Sequence, residues 1–266
     1  MAPLDIIKSS LGLLWKNAGR IAVLCLPLLA LEMYVKNIIR SQFGVGSPWV
    51  WDALVNPVFT PFYAAVVILT FEARSRGDRL TQAEVLSIAL RRWPHLAVLA
   101  VLAELLYLLR DLPFMGKEQW QQLMFQTADY VPAQLWETVE FLTFPFVLWL
   151  TIKLILSQCL VMLRGRNSLG AIRESFRMSK GEGWYILGCF LWIYIPYVLI
   201  THSIAFVAPD LYISFMQDIL VAPEHGVTAS MIILWSQAFI WKILLTAVSF
   251  RLFTDIAGTQ TRMPYR

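Results

Sequence analysis

Residues 164–188 read RGRNSLGAIRESFRMSKGEGWYILG, which combines a basic loop, a short amphipathic segment and the start of a long apolar run. Asn167 or Ser168 supplies a helix N-cap, because both residue types accept hydrogen bonds from the free N–H groups of a first turn. Helical spacing then separates an apolar face from a polar one, namely Leu169, Ile172 and Phe176 from Arg173, Glu174, Arg177 and Lys180. The pattern predicts a helix that lies along a membrane surface.

The charged face of this predicted helix suits anionic lipid headgroups. Arg173, Arg177 and Lys180 are the candidate headgroup contacts. Trp184 follows at the start of the apolar run, where an indole ring is expected at headgroup depth. Membrane lipids are therefore the first expected partner of the protein.

The overall composition is that of a membrane protein. Hydrophobic residues make up 58% of the 266 positions and charged residues 15%, and the mean hydropathy is +0.61. A soluble domain cannot bury this much apolar surface. The net charge of +4 is typical of basic cytoplasmic loops in membrane proteins. No basic run with interleaved aromatic residues occurs, so nucleic acid is not an expected partner.

Six apolar stretches each approach the length of about 20 helical residues that crosses the hydrocarbon core. They cover residues 21–39, 54–73, 93–112, 141–163, 184–207 and 231–253. The predicted fold class is an all-α, polytopic membrane bundle of six transmembrane helices that forms one domain over residues 1–266. Apolar spacing within residues 111–140 and 212–219 predicts further interfacial helices outside the spans.

A weak three-fold internal repeat is predicted. Its units are residues 1–73, 74–163 and 164–266, each a surface helix followed by two spans. The junctions carry Trp15, Trp93 and Trp184. In the second unit Thr81 and Glu84 have the spacing of a capping box. The alternative is that any basic interfacial helix before a span produces the same pattern.

The basic residues are distributed unequally between the two sides of the predicted bundle. Sixteen of the 22 lysines and arginines fall in the N-terminal segment, the loops after spans two and four, and the C-terminal end, against four on the other side. Cytoplasmic loops carry such an excess. Both termini are therefore predicted in the cytoplasm, and in a bacterium the multi-pass protein would lie in the inner membrane.

Four charged residues and one histidine are singled out within the apolar stretches as a candidate buried polar site. They are Glu32, Glu104, Lys153, Lys242 and His202. A charge at the centre of a transmembrane helix costs roughly 2.5–3.5 kcal/mol on insertion scales, so these groups are expected to face protein, water or one another. They form either a polar cavity for an ion, proton or headgroup, or a structural set in which the lysines reach toward the interface. The second alternative is favoured.

Sequence motifs for cofactors, metals and catalysis are absent. The cysteines lie far apart within apolar runs, at Cys25, Cys159 and Cys189, which gives no support to a disulfide framework or a zinc site. No phosphate-binding loop, zinc-protease motif or nucleophile elbow occurs, and the three histidines are scattered. No cofactor and no catalytic residue is predicted, although a membrane hydrolase can distribute such residues over several loops.

One segment resembles known membrane proteins. The pattern A-x-x-x-S-[WF]-x-[LM]-[ST]-x-G-x-x-[WF] is matched here by Ala171, Ser175, Phe176, Met178, Ser179, Gly181 and Trp184. This segment is similar to one in the YciC-like inner-membrane family and in the membrane domain attached to some glycerophosphodiester phosphodiesterases. The resemblance implies a six-span envelope membrane protein. No phosphodiesterase catalytic domain accompanies it, so that activity does not carry over.

Three hypotheses of function follow. The leading one is a non-enzymatic bacterial inner-membrane protein that binds lipid or a partner protein in envelope maintenance. The second is a transporter or permease subunit that uses the buried charged residues. The third is a membrane-embedded enzyme that acts on lipid. A co-purifying partner, loss of transport on neutralising one buried charge, or a turnover product would distinguish them.

Overall fold

The computed structural model of the protein describes residues 2–43, 48–78, 80–111, 133–207 and 229–262. Within these ranges every regular element is an α-helix, so the predicted all-α class is confirmed. In chain order the helices are α1 (Pro3–Phe43), α2 (Pro48–Arg76), α3 (Gln82–Asp111), α4 (Ala133–Leu154), α5 (Ser157–Arg164), α6 (Ser168–Met178), α7 (Gly183–Val207) and α8 (Ala229–Arg262).

Several of these helices are long and apolar enough to cross a membrane. Four stretches qualify by length and composition: Pro3–Ile39, Ala53–Arg76, Gln82–Leu106 and Thr143–Arg164. A fifth crossing is counted if α6 and the first part of α7, which meet at a bend of 101°, form one broken span. The described residues thus contain four or five candidate spans. A crossing count of six stays a prediction, although α8 covers the sixth predicted stretch.

The first two predicted surface helices are not separate elements. Residues 3–43 form the single helix α1, so the surface segment continues into the first span without a break. In the second unit α3 begins at Gln82 and continues beyond Trp93 to Asp111. Gly19 lies inside α1, where one glycine costs only about 1 kcal/mol and does not end a helix. In these two units the surface segment and the following span therefore form one continuous helix.

The third predicted surface helix is a separate element. Helix α6 ends at Met178, and α7 begins at Gly183 with its axis bent by 101° from that of α6. Gly181 lies in the turn between them with a φ of +86°, a conformation that glycine adopts without steric cost. This turn places α6 across the direction of α7.

The predicted capping box begins α3. The Thr81 N–H donates to Oε2 of Glu84 at 2.6 Å, and the Glu84 N–H donates to Oγ1 of Thr81 at 3.2 Å. These reciprocal hydrogen bonds satisfy two donors that a helix start leaves free. The prediction from the Thr81 to Glu84 spacing is confirmed.

Helix α2 lies at the centre of the bundle. It packs against α1, α3, α5 and α8, and 67% of its spanning stretch is buried, against 28–39% for the other three unbent candidate stretches. Residues 64–68 read AAVVI and are almost inaccessible. Small and β-branched side chains let neighbouring helix backbones approach closely. The sequence of α2 therefore suits the position in which it must be covered on all sides.

The outward faces of the bundle remain apolar. Large exposed hydrophobic side chains occur along α1, α3, α7 and α8, among them Leu26, Leu31, Val98, Leu105, Trp192, Leu199, Ile233 and Ile240. So many exposed large apolar side chains are costly in water and are normal on the lipid-facing surface of a membrane protein. Both the apolar surface and the lengths of the helices are therefore compatible with a membrane protein.

The fourth predicted span is interrupted near its end. Helix α4 ends at Leu154 and α5 starts at Ser157, where the Ser157 hydroxyl donates to the carbonyl of Leu154. Such local side-chain bonds compete with the helical ladder. The interfacial helix predicted within residues 111–140 lies outside the described residues except for the start of α4, and the one predicted at residues 212–219 lies outside them entirely.

Candidate functional site

Two polar regions stand out in the described structure, and the first is α6. Asn167 is the N-cap, and its side-chain oxygen accepts a hydrogen bond from the Gly170 N–H at 2.8 Å. The face of α6 that packs on the bundle consists of Ser168, Ala171, Glu174, Ser175 and Met178, all buried. Small residues dominate this face because α6 lies close against α3, α4 and α5.

This packing corrects one assignment made from helical spacing. Glu174 was predicted on the headgroup side but is buried, because Arg164 and Arg166 come from outside α6 and neutralise it there. The side chain of Leu169, predicted on the apolar face that meets the acyl boundary, is 69% exposed, which is compatible with that prediction.

Glu174 joins α6 to the end of α5. Its carboxylate accepts hydrogen bonds from Nη1 of Arg164 and, at 2.8 Å, from Nε of Arg166. Burial by itself would raise the pKa of Glu174, but the hydrogen bonds and charges of the two arginines outweigh it and hold that pKa below its usual value. Arg164 also lies over the Phe253 ring, 5.3 Å from its centroid, which extends the contact to α8.

Lys153 lies at the other end of α6 and not beside the buried glutamates. Its Nζ donates to the carbonyl of Ser179 at 3.2 Å, and its own carbonyl accepts from the Ser175 hydroxyl at 2.6 Å. An ammonium at a helix C-terminus satisfies free carbonyls and interacts favourably with the helix dipole. Lys153 therefore holds the C-terminus of α6 against α4.

The opposite face of α6 is exposed and basic. Arg173 and Arg177 are exposed on it, and Lys180 is exposed in the turn directly after its C-terminus. Arg177 makes only a long contact of 3.8 Å with Glu174. Among the residues that the structure describes, Arg173 and Lys180 have no acidic partner. Trp184, 86% exposed, follows at the start of α7. Arg173, Arg177 and Lys180, here called the α6 basic face, are exposed and can contact a charged surface.

The second polar region is an ion cluster between α1 and α8. The Glu32 carboxylate Oε1 lies 2.7 Å from Nζ of Lys36 and 3.3 Å from Nζ of Lys242. The cluster is closely buried, since the side chains of Glu32 and Lys36 are 4% and 5% exposed. Such charges are tolerated in an apolar interior only when paired. Of the four charged residues predicted within spans, the structure brings Glu32 and Lys242 into direct contact.

Two neutral side chains of α2 complete this cluster. The Tyr63 hydroxyl donates to Oε2 of Glu32 at 2.6 Å. Oδ1 of Asn56 accepts from Lys36 at 3.0 Å and from Lys242 at 2.9 Å. The sequence analysis missed three members, because Lys36 was counted among the four basic residues on the side opposite the cytoplasm, and Asn56 and Tyr63 were not singled out. The i, i+4 spacing of Glu32 and Lys36, and an amide inside an apolar stretch, could have revealed two of them.

A cavity of about 170 Å³ adjoins the ion cluster. Its lining comes from α2, α3, α4, α5, α7 and α8 and includes both Glu104 and Lys242. Glu104 and Lys242, both predicted as members of a buried polar site, therefore line the same cavity, whereas Lys153 does not line it. His202 belongs to α7, and its side chain lies outside the described part of the chain.

The described residues show no group of three or more His, Cys, Asp or Glu side chains that could hold a metal ion. The three cysteines are free and buried. The polar chemistry of the described structure is thus concentrated in the α6 basic face, the ion cluster and the cavity beside it.

Comparisons with family models, with curated proteins and with solved structures find no match to this chain.

Proposed function

We propose that the chain is a non-enzymatic, multi-pass protein of the bacterial inner membrane that binds anionic lipid headgroups through the α6 basic face. The observation that carries this proposal is the exposure of Arg173, Arg177 and Lys180 on the side of α6 that does not pack on the bundle. Binding of lipid or of a partner protein at this face would serve maintenance of the cell envelope.

The direction of α6 supports contact with a membrane surface. Because α6 and α7 are bent by 101°, α6 lies roughly in the membrane plane if α7 crosses the bilayer. Leu169 and Trp184, both largely exposed, provide apolar groups beside the cations, as expected of an interfacial helix. Each cation near an anionic surface contributes about 1 kcal/mol, and salt screens that contribution.

Six crossings with both termini in the cytoplasm belong to the same proposal. The unequal distribution of basic residues supports this orientation, and it puts the α6 basic face against the anionic cytoplasmic leaflet. The resemblance of residues 168–188 to the YciC-like family also supports an inner-membrane protein.

The test reverses the charge of the α6 basic face with Arg173→Glu, Arg177→Glu and Lys180→Glu in one variant. The purified protein is placed in nanodiscs that contain phosphatidylglycerol and phosphatidylcholine, and the bound lipids are identified by native mass spectrometry. Loss of phosphatidylglycerol enrichment, together with loss of the salt dependence of binding, is the expected result.

The matched control reverses three exposed cations elsewhere on the predicted cytoplasmic side, Lys8, Lys16 and Arg91. The net charge changes equally, so the control separates a specific α6 surface from general electrostatic attraction. Equal lipid binding by the wild type and the α6 variant would refute the lipid proposal. A stable protein partner lost only from the α6 variant would assign the face to protein binding instead.

A transporter or permease subunit is the second candidate, favoured by the cavity that Glu104 and Lys242 line beside the ion cluster. A transporter requires a substrate site inside the membrane built from such groups. Under this candidate Glu104→Gln abolishes uptake while the protein still folds. Unchanged uptake in cells that produce Glu104→Gln as the sole copy would exclude it.

A further inference from the structure

The cavity beside the ion cluster combines groups of opposite charge. Glu104 of α3 and Lys242 of α8 both line it, together with hydroxyl groups and apolar side chains. We infer that this cavity binds a small zwitterion, whose anionic group contacts Lys242 and whose ammonium contacts Glu104. The inference is independent of lipid binding at the α6 basic face, which concerns a different surface.

Lys242 retains hydrogen-bonding capacity toward the cavity. Its ammonium has three donors, and two are used, by Glu32 at 3.3 Å and by Asn56 at 2.9 Å. Lys242 lines the cavity, and its side chain is 18% exposed, compared with 4% for Glu32. The third N–H of the ammonium is therefore left for an anionic group in the cavity.

The hydroxyl groups of the lining act as acceptors. Thr246, Ser249 and Thr151 each donate to a carbonyl in their own helix at 2.7–2.8 Å. The hydroxyl protons are used in these bonds, and the oxygen lone pairs remain available to accept hydrogen bonds. Thr60, also in the lining, has a buried hydroxyl without a hydrogen-bond partner in the described structure. An ammonium group supplies the donors that these oxygens and Glu104 can accept.

Charge balance selects a zwitterion over a simple ion. The two carboxylates of Glu32 and Glu104 balance the two ammonium groups of Lys36 and Lys242. A bound anion or cation would leave one net charge in an apolar interior, which is strongly unfavourable. A molecule with one charge of each sign pairs with both walls and leaves the site neutral.

The cavity volume limits the size of the ligand. A cavity of about 150 Å³ holds a benzene molecule, so about 170 Å³ accommodates roughly six to eight non-hydrogen atoms. This size fits a free amino acid or the phosphoethanolamine part of a lipid headgroup. Both carry the same pair of charges, and the experiment distinguishes them.

The test compares three probes of similar length, 4-aminobutyrate as the zwitterion, butyrate as the anion and butylammonium as the cation. Thermal unfolding is followed for the full chain in a nonionic detergent. Only the zwitterion is expected to raise Tm, because ligands that bind the native state stabilise it by mass action. An equal shift from butyrate or butylammonium, or no shift from any probe, overturns the inference.

Two variants locate the binding in the cavity. Glu104→Gln is expected to weaken zwitterion binding about 10- to 100-fold, because a hydrogen bond to a charged group is lost. Ala103→Leu narrows the cavity without changing its charge, and it is expected to abolish the rise in Tm caused by 4-aminobutyrate. This second variant keeps the site testable if Glu104→Gln does not fold. Glu72→Gln is the control, since Glu72 pairs with the exposed Arg76 outside the cavity. Retained binding in Ala103→Leu refutes the site.

Nanodiscs identify the source of the zwitterion. If a lipid headgroup occupies the cavity, phosphatidylethanolamine discs remove the shift caused by 4-aminobutyrate, whereas phosphatidylglycerol discs retain it. If the ligand is a free molecule, the shift is the same in both. Either of these two outcomes agrees with a zwitterion site and identifies its occupant. Absence of a Tm shift in both kinds of disc contradicts the zwitterion site.

Discussion

Nζ of Lys242 lies 3.3 Å from Oε1 of Glu32, although 210 positions separate the two residues in the chain. Lys36 shares the same carboxylate oxygen at 2.7 Å. One carboxylate thus serves two ammonium groups from the first and last helices. This arrangement fixes α1 to α8 and makes Glu32 the residue on which the cluster depends most.

Removal of Glu32 should therefore cost more than removal of Lys242. Glu32→Gln removes the carboxylate that both buried ammonium groups contact and leaves Glu104 as the acidic group facing Lys242, and breaking a buried ion pair from one side costs about 3–5 kcal/mol of unfolding free energy. Lys242→Met should cost less, because Lys36 still pairs with Glu32. Thermal or denaturant unfolding in detergent measures both values.

A double-mutant cycle provides the control for this prediction. Coupling between Glu32→Gln and Lys242→Met should exceed about 0.5 kcal/mol, whereas coupling between Glu32→Gln and Lys153→Met should fall below it. The Lys153 ammonium donates to the Ser179 carbonyl at the end of α6 and is not a member of the ion cluster. Equal coupling in the two cycles would show that Glu32 and Lys242 do not interact in the folded protein.

The attachment of α6 should depend on pH through Glu174. The folded-state pKa of Glu174 is lowered, so its contribution to stability is complete above the unfolded pKa of about 4.3. The contribution is lost as pH falls from there through the folded pKa. Hydrogen exchange of the α6 amides, corrected for intrinsic rates, should show reduced protection in that acidic range.

Glu174→Gln is the matched variant for the pH experiment. It removes the titrating group, so α6 should be less protected than in the wild type above pH 5, and the difference should diminish toward acid. A constant difference across the acidic range would mean that Arg164 and Arg166 do not hold Glu174 as an ion pair.

Gly165 should resist substitution. It ends α5 with a φ of +64°, and a Cβ there would lie 2.6 Å from Nη2 of Arg92. The left-handed conformation costs a residue with a Cβ roughly 1–2 kcal/mol, so Gly165→Ala should destabilise the protein by about that amount. Arg92 can move, since the close atom is the end of a flexible side chain.

Gly19 provides the opposite case in the same chain. It lies inside α1, and no neighbouring atom comes within 4 Å of the position that an alanine Cβ would take there. Gly19→Ala should therefore stabilise the protein by about 0.5–1 kcal/mol. Denaturant unfolding of both variants in detergent gives the comparison. Shifts of the same sign would contradict the conformational explanation.

The orientation of the chain can be tested with reporter fusions. Fusions near Ala83, Ala171 and the C-terminus should report a cytoplasmic location, and fusions near Gln122 and Glu224 a periplasmic one, because basic residues are concentrated on one side. Periplasmic activity from a fusion near Ala171 would refute the six-span topology and would remove the α6 basic face from the cytoplasmic leaflet.

Local features of this protein could be predicted from the amino-acid sequence. The all-α class, the N-cap at Asn167 and the capping box of Thr81 and Glu84 depend on composition or on residues three or four positions apart. Such interactions form within one helix, so no knowledge of neighbouring helices is needed. The exposure of Arg173, Arg177 and Lys180 also followed from spacing, because charged side chains avoid a dry interface.

Tertiary structure alone decided which residues meet across helices. In water the apolar face of a helix identifies its buried side, but in lipid both the buried and the exposed faces are apolar, so the pattern does not distinguish them. Glu174 became buried, although helical spacing placed it on the charged face of α6, because Arg164 and Arg166 from outside that helix neutralise it. Glu32 and Lys242 meet because α1 packs on α8, a contact between distant parts of the chain that no local spacing encodes.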